Sequence, residues 1–119
     1  MSRRSIDDRL ADLLEATSLA ATLVQRGRET FLDDQLLQLS AEAIAGRIGD
    51  AAAKLEHLDP TVLAAMPEIP WPKVKGLRIV VDHAYHRVNV QSLWETMSVS
   101  VPELRQAVER VILERQGRS

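Results

Sequence analysis

The sequence contains no cysteine, and this absence excludes several kinds of chemistry at once. Disulfide bonds, thiolate nucleophiles, iron–sulfur clusters and cysteine-ligated zinc sites all need cysteine side chains. Aromatic residues are also scarce, at 3% of the chain, and Trp71 and Trp94 stand among apolar neighbours at helical spacing. This context favours packing of the two indoles over a role in stacking on bases. Any catalysis must therefore depend on other side chains.

Long hydrophobic runs and the common enzyme signatures are missing as well. No window approaches the roughly 18 consecutive apolar residues of a membrane span, and residues 1–8 contain no apolar core of a signal peptide. We therefore expect a cytoplasmic protein that does not associate with membranes. The sequence also lacks a P-loop, a dinucleotide-binding glycine fingerprint, a nucleophile-elbow serine motif, a His-Glu-x-x-His motif and an EF-hand loop.

The length and composition are those of one folded domain. The chain has 119 residues, of which 45% are hydrophobic and 27% are charged, values close to the averages for globular proteins. A chain of this length buries a single core. The prediction is one domain over residues 1–119, with short polar tails at 1–5 and 115–119.

Apolar residues recur at intervals of three and four along most of the chain, which predicts an all-α fold. The pattern predicts five helical segments, at about residues 6–24, 33–56, 60–66, 72–85 and 89–112. Predicted N-caps are Ser5, Asp59 and Asn89, and Pro102 restarts or kinks the last segment. Small residues in the second segment, Gly49 among them, would allow another helix to approach closely. Short connections favour an antiparallel helical bundle.

Charge is distributed unevenly along the chain, although the formal net charge is only -2. Residues 29–59 contain seven acidic and two basic residues, for a net charge of −5, whereas residues 71–87 contain four basic residues and one acidic residue, for a net charge of +3. A chain with this overall charge does not bind nucleic acid along its whole surface. The segregation fits either ordinary surface variation or a local contact with nucleic acid.

The basic segment contains an arginine, a histidine and a tyrosine that together suggest chemistry. On an ideal helix Arg78 and Tyr85 lie within roughly 20° of one another, but His83 is rotated by about 140° from Arg78. Metal-free RNA cleavage needs an imidazole to move protons and a guanidinium to stabilise charge on the phosphorane-like transition state. Spacing alone favours a histidine at a helix end beside a solvated arginine. The two groups would meet through the long reach of arginine, through a helix that ends near Tyr85, or through a second copy of the segment across a dimer axis.

A metal site is the weaker alternative for these residues. His83 and His86 lie three residues apart and form half of a site, but His57 is the only other histidine. His57 fits a cation or neutral surface group at a helix C-terminus. Asp33 and Asp34 fit a charge pair at a helix N-terminus. We therefore predict that the protein holds no metal ion and no other cofactor.

Six short motifs, in order, resemble those of HepT-type HEPN proteins, the toxins of toxin–antitoxin pairs. They are Phe31-Leu-Asp-Asp34, Ile48-Gly-Asp50, Ile69-Pro-Trp71 before Gly76-Leu-Arg78, Arg78-x-x-x-x-His83-x-Tyr85, Val88-Asn89 through Trp94-Glu-Thr96, and Pro102-Glu-Leu104. The resemblance extends from about Asp8 to Ile112. It implies a homodimeric HEPN-like bundle in which two Arg/His motifs line one cleft.

The resemblance also implies specific roles for residues of the basic segment. Arg78 and His83 would be the catalytic residues of a metal-independent endoribonuclease. Tyr85 would accept AMP from a minimal nucleotidyltransferase (MNT) antitoxin, which silences the toxin. Nearby basic side chains expected to bind RNA are Lys73, Lys75 and Arg87.

One position departs from the family pattern. The residue after the arginine is usually a polar Asn or Asp in the family, but here it is Ile79, which cannot hydrogen-bond to Arg78 or to a phosphate. Asp50 replaces the usual Glu, which is a milder change. The alternative hypothesis is therefore a HEPN binding module with weak or no nuclease activity that serves as partner or substrate of a nucleotidyltransferase.

Overall fold

The computed structural model describes residues 3–78 and 89–117, and its elements in these ranges are all helical. They are α1 (Arg3–Val24), α2 (Arg28–Asp33), α3 (Gln35–Leu58), α4 (Pro60–Ala64), α5 (Trp71–Gly76), α6 (Val90–Glu95), a π-helical turn (Thr96–Ser100) and α7 (Val101–Gly117). Neither described range contains a β-strand. The prediction of an all-α fold is confirmed.

The long helices α1, α3 and α7 form the body of the bundle, with α1 packed against both of the others. Asp7, near the start of α1, pairs with Arg115, near the end of α7, at 2.7 Å. Ser5 of α1 and His57 of α3 border the same groove. The start of α1 therefore meets the ends of α3 and α7, so α1 runs antiparallel to both.

The core lies between these helices and is almost entirely apolar. Phe31 of α2 is fully buried, and its ring centroid lies 5.3 Å from that of the half-buried Trp94. Trp71 is itself buried in the core. Both tryptophans pack against apolar side chains, as predicted. Contacts of this kind between aromatic rings add to the stabilisation from burial alone.

Local hydrogen bonds explain why three predicted helix boundaries are correct. The Asp59 carboxylate accepts from the backbone N–H of Thr61 at 3.0 Å and caps α4. The side-chain oxygen of Asn89 accepts from the N–H of Ser92 at 3.0 Å and caps α6. Gly27 follows α1 with a φ of 88°, a conformation that side chains of L-residues disfavour. Hydrogen bonds from Thr61 also lower the pKa of Asp59.

The predicted starts of two helices are wrong. Helix α1 begins at Arg3, so Ser5 lies inside the helix and does not cap it. The second long helix begins at Gln35, because Asp34 adopts an extended backbone conformation and accepts hydrogen bonds from Leu36 and Leu37. Residues before Asp34 form the separate short helix α2.

The predicted interruption before Pro102 is a change in helical register. The N–H of Val101 donates to the carbonyl oxygen of Thr96, five residues earlier, which is the π-helical pattern. Because proline has no N–H, Pro102 cannot continue the ladder of bonds between residues four apart. The chain therefore passes from α6 to α7 through a π-helical turn.

None of the helices described in the structure is long and apolar enough to cross a membrane.

Candidate active site

Arg78 follows α5, a short helix that is fixed to the core. Trp71, its first residue, is buried, and its indole N–H donates to the carbonyl oxygens of Leu63 at 3.1 Å and Met66 at 3.2 Å. Val74 lies one turn later and is also buried. Arg78 itself is exposed. Its backbone is thus placed by a rigid element while its guanidinium remains accessible to a ligand.

The segment leading into α5 is attached to the last helix by one arginine. Arg110 of α7 donates to the carbonyl oxygen of Ala65 at 3.1 Å and forms an ion pair with Glu68. The hydrogen bond from Arg110 lowers the pKa of Glu68. These contacts hold the connection between α4 and α5 against α7.

Gly49 of α3 sets how closely α5 and Arg78 approach the bundle. A Cβ atom at this position would lie 2.5 Å from the backbone nitrogen of Arg78 and 3.1 Å from the carbonyl oxygens of Val74 and Lys75. Backbone atoms cannot yield as the end of a flexible side chain does, so a methyl group here must displace α5 or α3. The predicted close approach at Gly49 is confirmed, and its partner is the backbone that carries Arg78.

We expect Gly49→Ala to lower the free energy of unfolding by about 1–3 kcal/mol, the usual cost of overpacking. The matched control is Gly76→Ala, because a Cβ at Gly76 meets nothing within 4 Å. Urea denaturation of both variants measures the difference. Equal stability of the two variants would contradict a tight contact between α3 and the backbone of Arg78.

The two lysines predicted to bind RNA lie in different surroundings from Arg78. Lys75 is half-buried and forms an ion pair with Glu56 of α3 at 2.6 Å. Lys73 is exposed and borders a cavity of about 190 Å³ between α5 and the π-helical turn, together with Glu103. Neither lysine lines the groove that contains Arg78. Their role in RNA binding stays a prediction.

Arg78, two residues after α5, lies in a groove of about 520 Å³ that the start of α1 and the end of α3 line with it. The lining residues are Ser5, Arg9, Asp50, Ala53, Lys54, His57, Leu58 and Arg78. Three of them are cationic and one is a carboxylate, so the groove is basic within a chain of net negative charge. A guanidinium in a basic groove is suited to bind phosphate.

Two of the groove's cations already have carboxylate partners. Lys54 pairs with Asp50 at 2.9 Å, and Arg9 pairs with Asp12 at 3.1 Å. Among residues 3–78 and 89–117, no carboxylate forms an ion pair with Arg78. Of the three cations in this groove, Arg78 is therefore the one without a carboxylate partner within the described residues.

Four residues of the predicted site, His83, Tyr85, Arg87 and Ile79, lie outside the described residues. The convergence of His83 and Tyr85 with Arg78 accordingly stays a prediction. Within the two described ranges, no three His, Asp or Glu side chains are grouped as metal ligands.

The sequence contains a signal for this groove outside the Arg78–Tyr85 motif. Asp50, Lys54 and His57 are spaced by four and three residues on a predicted helix, which places them on one face. His57 is exposed in the last turn of α3, as predicted. The contribution of Arg9 had no sequence signal, since it depends on how α1 packs beside α3.

Comparison with known proteins identifies the family. A family model described as "Ribonuclease HepT-like" matches residues 13–111, which is more than half of the chain. The chain belongs to the HepT-like family. The match includes α3, α5 and Arg78, whereas Ser5 and Arg9 of the groove precede its first residue. No solved structure matches the sequence.

Individual relatives support the same assignment over nearly the full length. A Thermococcus cleftensis protein named "Probable ribonuclease HepT" is 30% identical over 110 residues, covering 92% of this chain and 97% of the relative. A Methanocaldococcus jannaschii protein, named as a candidate RNase, is 24% identical over 119 residues, covering 99% of this chain and 96% of the relative. The chain thus aligns with nearly the full length of both relatives.

Proposed function

We propose that this HepT-like protein is a metal-independent endoribonuclease that acts as the toxin of a toxin–antitoxin pair. The observation that carries the proposal is the exposed guanidinium of Arg78, held by α5 at a basic groove and without a carboxylate partner among the described residues. Membership in a family of ribonucleases supports RNA as the substrate. The purified protein should cleave single-stranded RNA in the presence of EDTA, and an absence of cleavage would refute the proposal.

The proposed chemistry uses the ribose 2′-hydroxyl as the nucleophile. The His83 imidazole accepts the 2′-hydroxyl proton while the 2′-oxygen attacks the adjacent phosphorus. The bond from phosphorus to the 5′-oxygen then breaks, and that oxygen takes up the proton that the imidazole accepted. Arg78 stabilises the charge that builds up on the non-bridging oxygens. The products are a 2′,3′-cyclic phosphate and a 5′-hydroxyl end.

The proposed active unit is a homodimer. A single helix does not aim Arg78 and His83 at one atom, because the two positions differ by about 140° on an ideal helix. A two-fold axis would place two Arg/His pairs around one cleft and would raise its positive potential. Light scattering should give a dimer at working concentration, and a monomer that still cuts RNA would exclude a composite site.

Silencing by a nucleotidyltransferase antitoxin is proposed to act at Tyr85. AMP attached to its hydroxyl adds a negative phosphate that can pair with Arg78, and an adenosine large enough to obstruct the RNA path. After co-expression with the cognate nucleotidyltransferase, intact mass measurement should show added AMP on the wild type and none on Tyr85→Phe. Unmodified wild type, or equal modification of both proteins, would mean that silencing proceeds by another route, such as direct occlusion of the cleft.

The second candidate function is a binding module without effective nuclease activity. Ile79 favours it, because a polar side chain that would orient Arg78 is missing from this position. Expression of the chain alone separates the two candidates. A nuclease toxin arrests growth and depletes RNA in a manner that depends on His83, whereas a binding module does neither.

A further inference from the structure

The groove beside Arg78 extends along α3 beyond the arginine itself. Asp50, Lys54 and His57 occupy one face of α3 and span seven residues, which corresponds to roughly 10 Å along the helix axis. Arg9 of α1 contributes from the opposite side. The groove volume of about 520 Å³ lies within the range of sites that bind ligands the size of a nucleotide.

We propose that this groove binds the phosphodiester backbone of the RNA strand next to the bond that is cleaved. Arg9 and Lys54 contact phosphate oxygens by charge, and the exposed His57 donates a hydrogen bond to them. The assignment rests on the proposed function, since it takes Arg78 as a residue of the ribonuclease site. It adds a second part to that site, which lies on α1 and α3 and outside the Arg78–Tyr85 motif.

The composition of the groove favours a nucleic-acid backbone over bases. None of its described lining residues is a tryptophan, tyrosine or phenylalanine, so the His57 imidazole is the one aromatic ring among them on which a base could stack. Three of its lining side chains are cationic, and contacts to phosphate position a strand without reading its sequence. The groove therefore contributes affinity and orientation with little sequence preference.

The existing ion pairs of the groove are compatible with phosphate binding. The Lys54–Asp50 and Arg9–Asp12 pairs are well exposed, with side-chain exposures between 37% and 55%. Exposed pairs of this kind contribute little to folding stability because water and salt screen them. A phosphate can thus replace the carboxylate partner of either cation without a large loss of stability.

Binding of a non-cleavable RNA tests the groove directly. The probe is a fluorescently labelled, fully 2′-O-methylated single strand of mixed sequence, titrated by anisotropy between about 50 and 200 mM salt. Arg9→Gln and Lys54→Gln should each raise Kd by about threefold to tenfold. Each should also reduce the slope of log K against log salt by about 0.7, the value for one phosphate contact on a single strand.

The matched control is Arg26→Gln, which removes the same charge from an exposed position beyond the other end of α1. It should leave both Kd and the salt slope at wild-type values. If wild type binds and cleaves RNA but the two groove variants behave like Arg26→Gln, the groove assignment is wrong and the proposed function stands. If wild type neither binds this probe nor cleaves RNA, both the groove assignment and the proposed function are wrong.

Discussion

His83→Ala should reduce RNA cleavage by about two to four orders of magnitude, the range expected when a general acid–base group is removed. No cysteine is available in this chain to replace the imidazole, and histidine is the side chain that exchanges protons most readily near neutral pH. Single-turnover cleavage of a labelled RNA, with protein in excess, measures the chemical step without product release.

The matched control for this prediction is His86→Ala, which removes an imidazole three residues away to which we assign no role. It should cleave RNA at close to the wild-type rate. Undiminished cleavage by a folded His83→Ala protein would remove His83 from the mechanism. Equal losses in both variants would point to damage of the segment as a whole.

Arg78→Ala should reduce cleavage by about two to three orders of magnitude, as when one preorganised donor to transition-state charge is removed. The melting temperature should hardly change, because Arg78 is exposed and has no ion pair in the described part of the chain. Arg78→Lys should recover little activity, since an ammonium group cannot bind two phosphate oxygens with the planar geometry of guanidinium.

Arg26→Ala serves as the control for a lost surface arginine and should retain full activity. Thermal unfolding by circular dichroism, recorded for the same samples, separates loss of chemistry from loss of fold. A nuclease that keeps its rate in Arg78→Ala would contradict the role of the guanidinium. A large fall in melting temperature would show instead that Arg78 supports the structure.

Helix content and several helix ends were predictable because they depend on local interactions. Apolar spacing of three and four residues identifies α1, α3 and α7 without any knowledge of their packing. Asp59 and Asn89 act as caps through bonds to residues two and three positions later. The prediction of Ser5 as a cap is wrong because α1 begins two residues earlier, at Arg3. The preference of serine for N-cap positions does not by itself fix the first residue of a helix.

The site was only partly predictable, because charge along a sequence does not reveal which groups meet in space. Lys75 belongs to the basic segment, yet its partner Glu56 comes from the acidic segment, so the two regions neutralise each other where α3 and α5 touch. Lys73 faces a different cavity. Arg9 joins Arg78 only because the start of α1 packs beside the end of α3.

The most direct test of the account is the identity of the ends that the purified protein leaves on RNA cut in the presence of EDTA. Attack by the 2′-oxygen, with Arg78 and His83 as the reacting groups, predicts 2′,3′-cyclic phosphate and 5′-hydroxyl ends. The same RNA with a 2′-deoxyribose at the cleaved position should then resist cutting there. Products with 5′-phosphate and 3′-hydroxyl ends, or cleavage that requires an added divalent metal ion, would contradict the account.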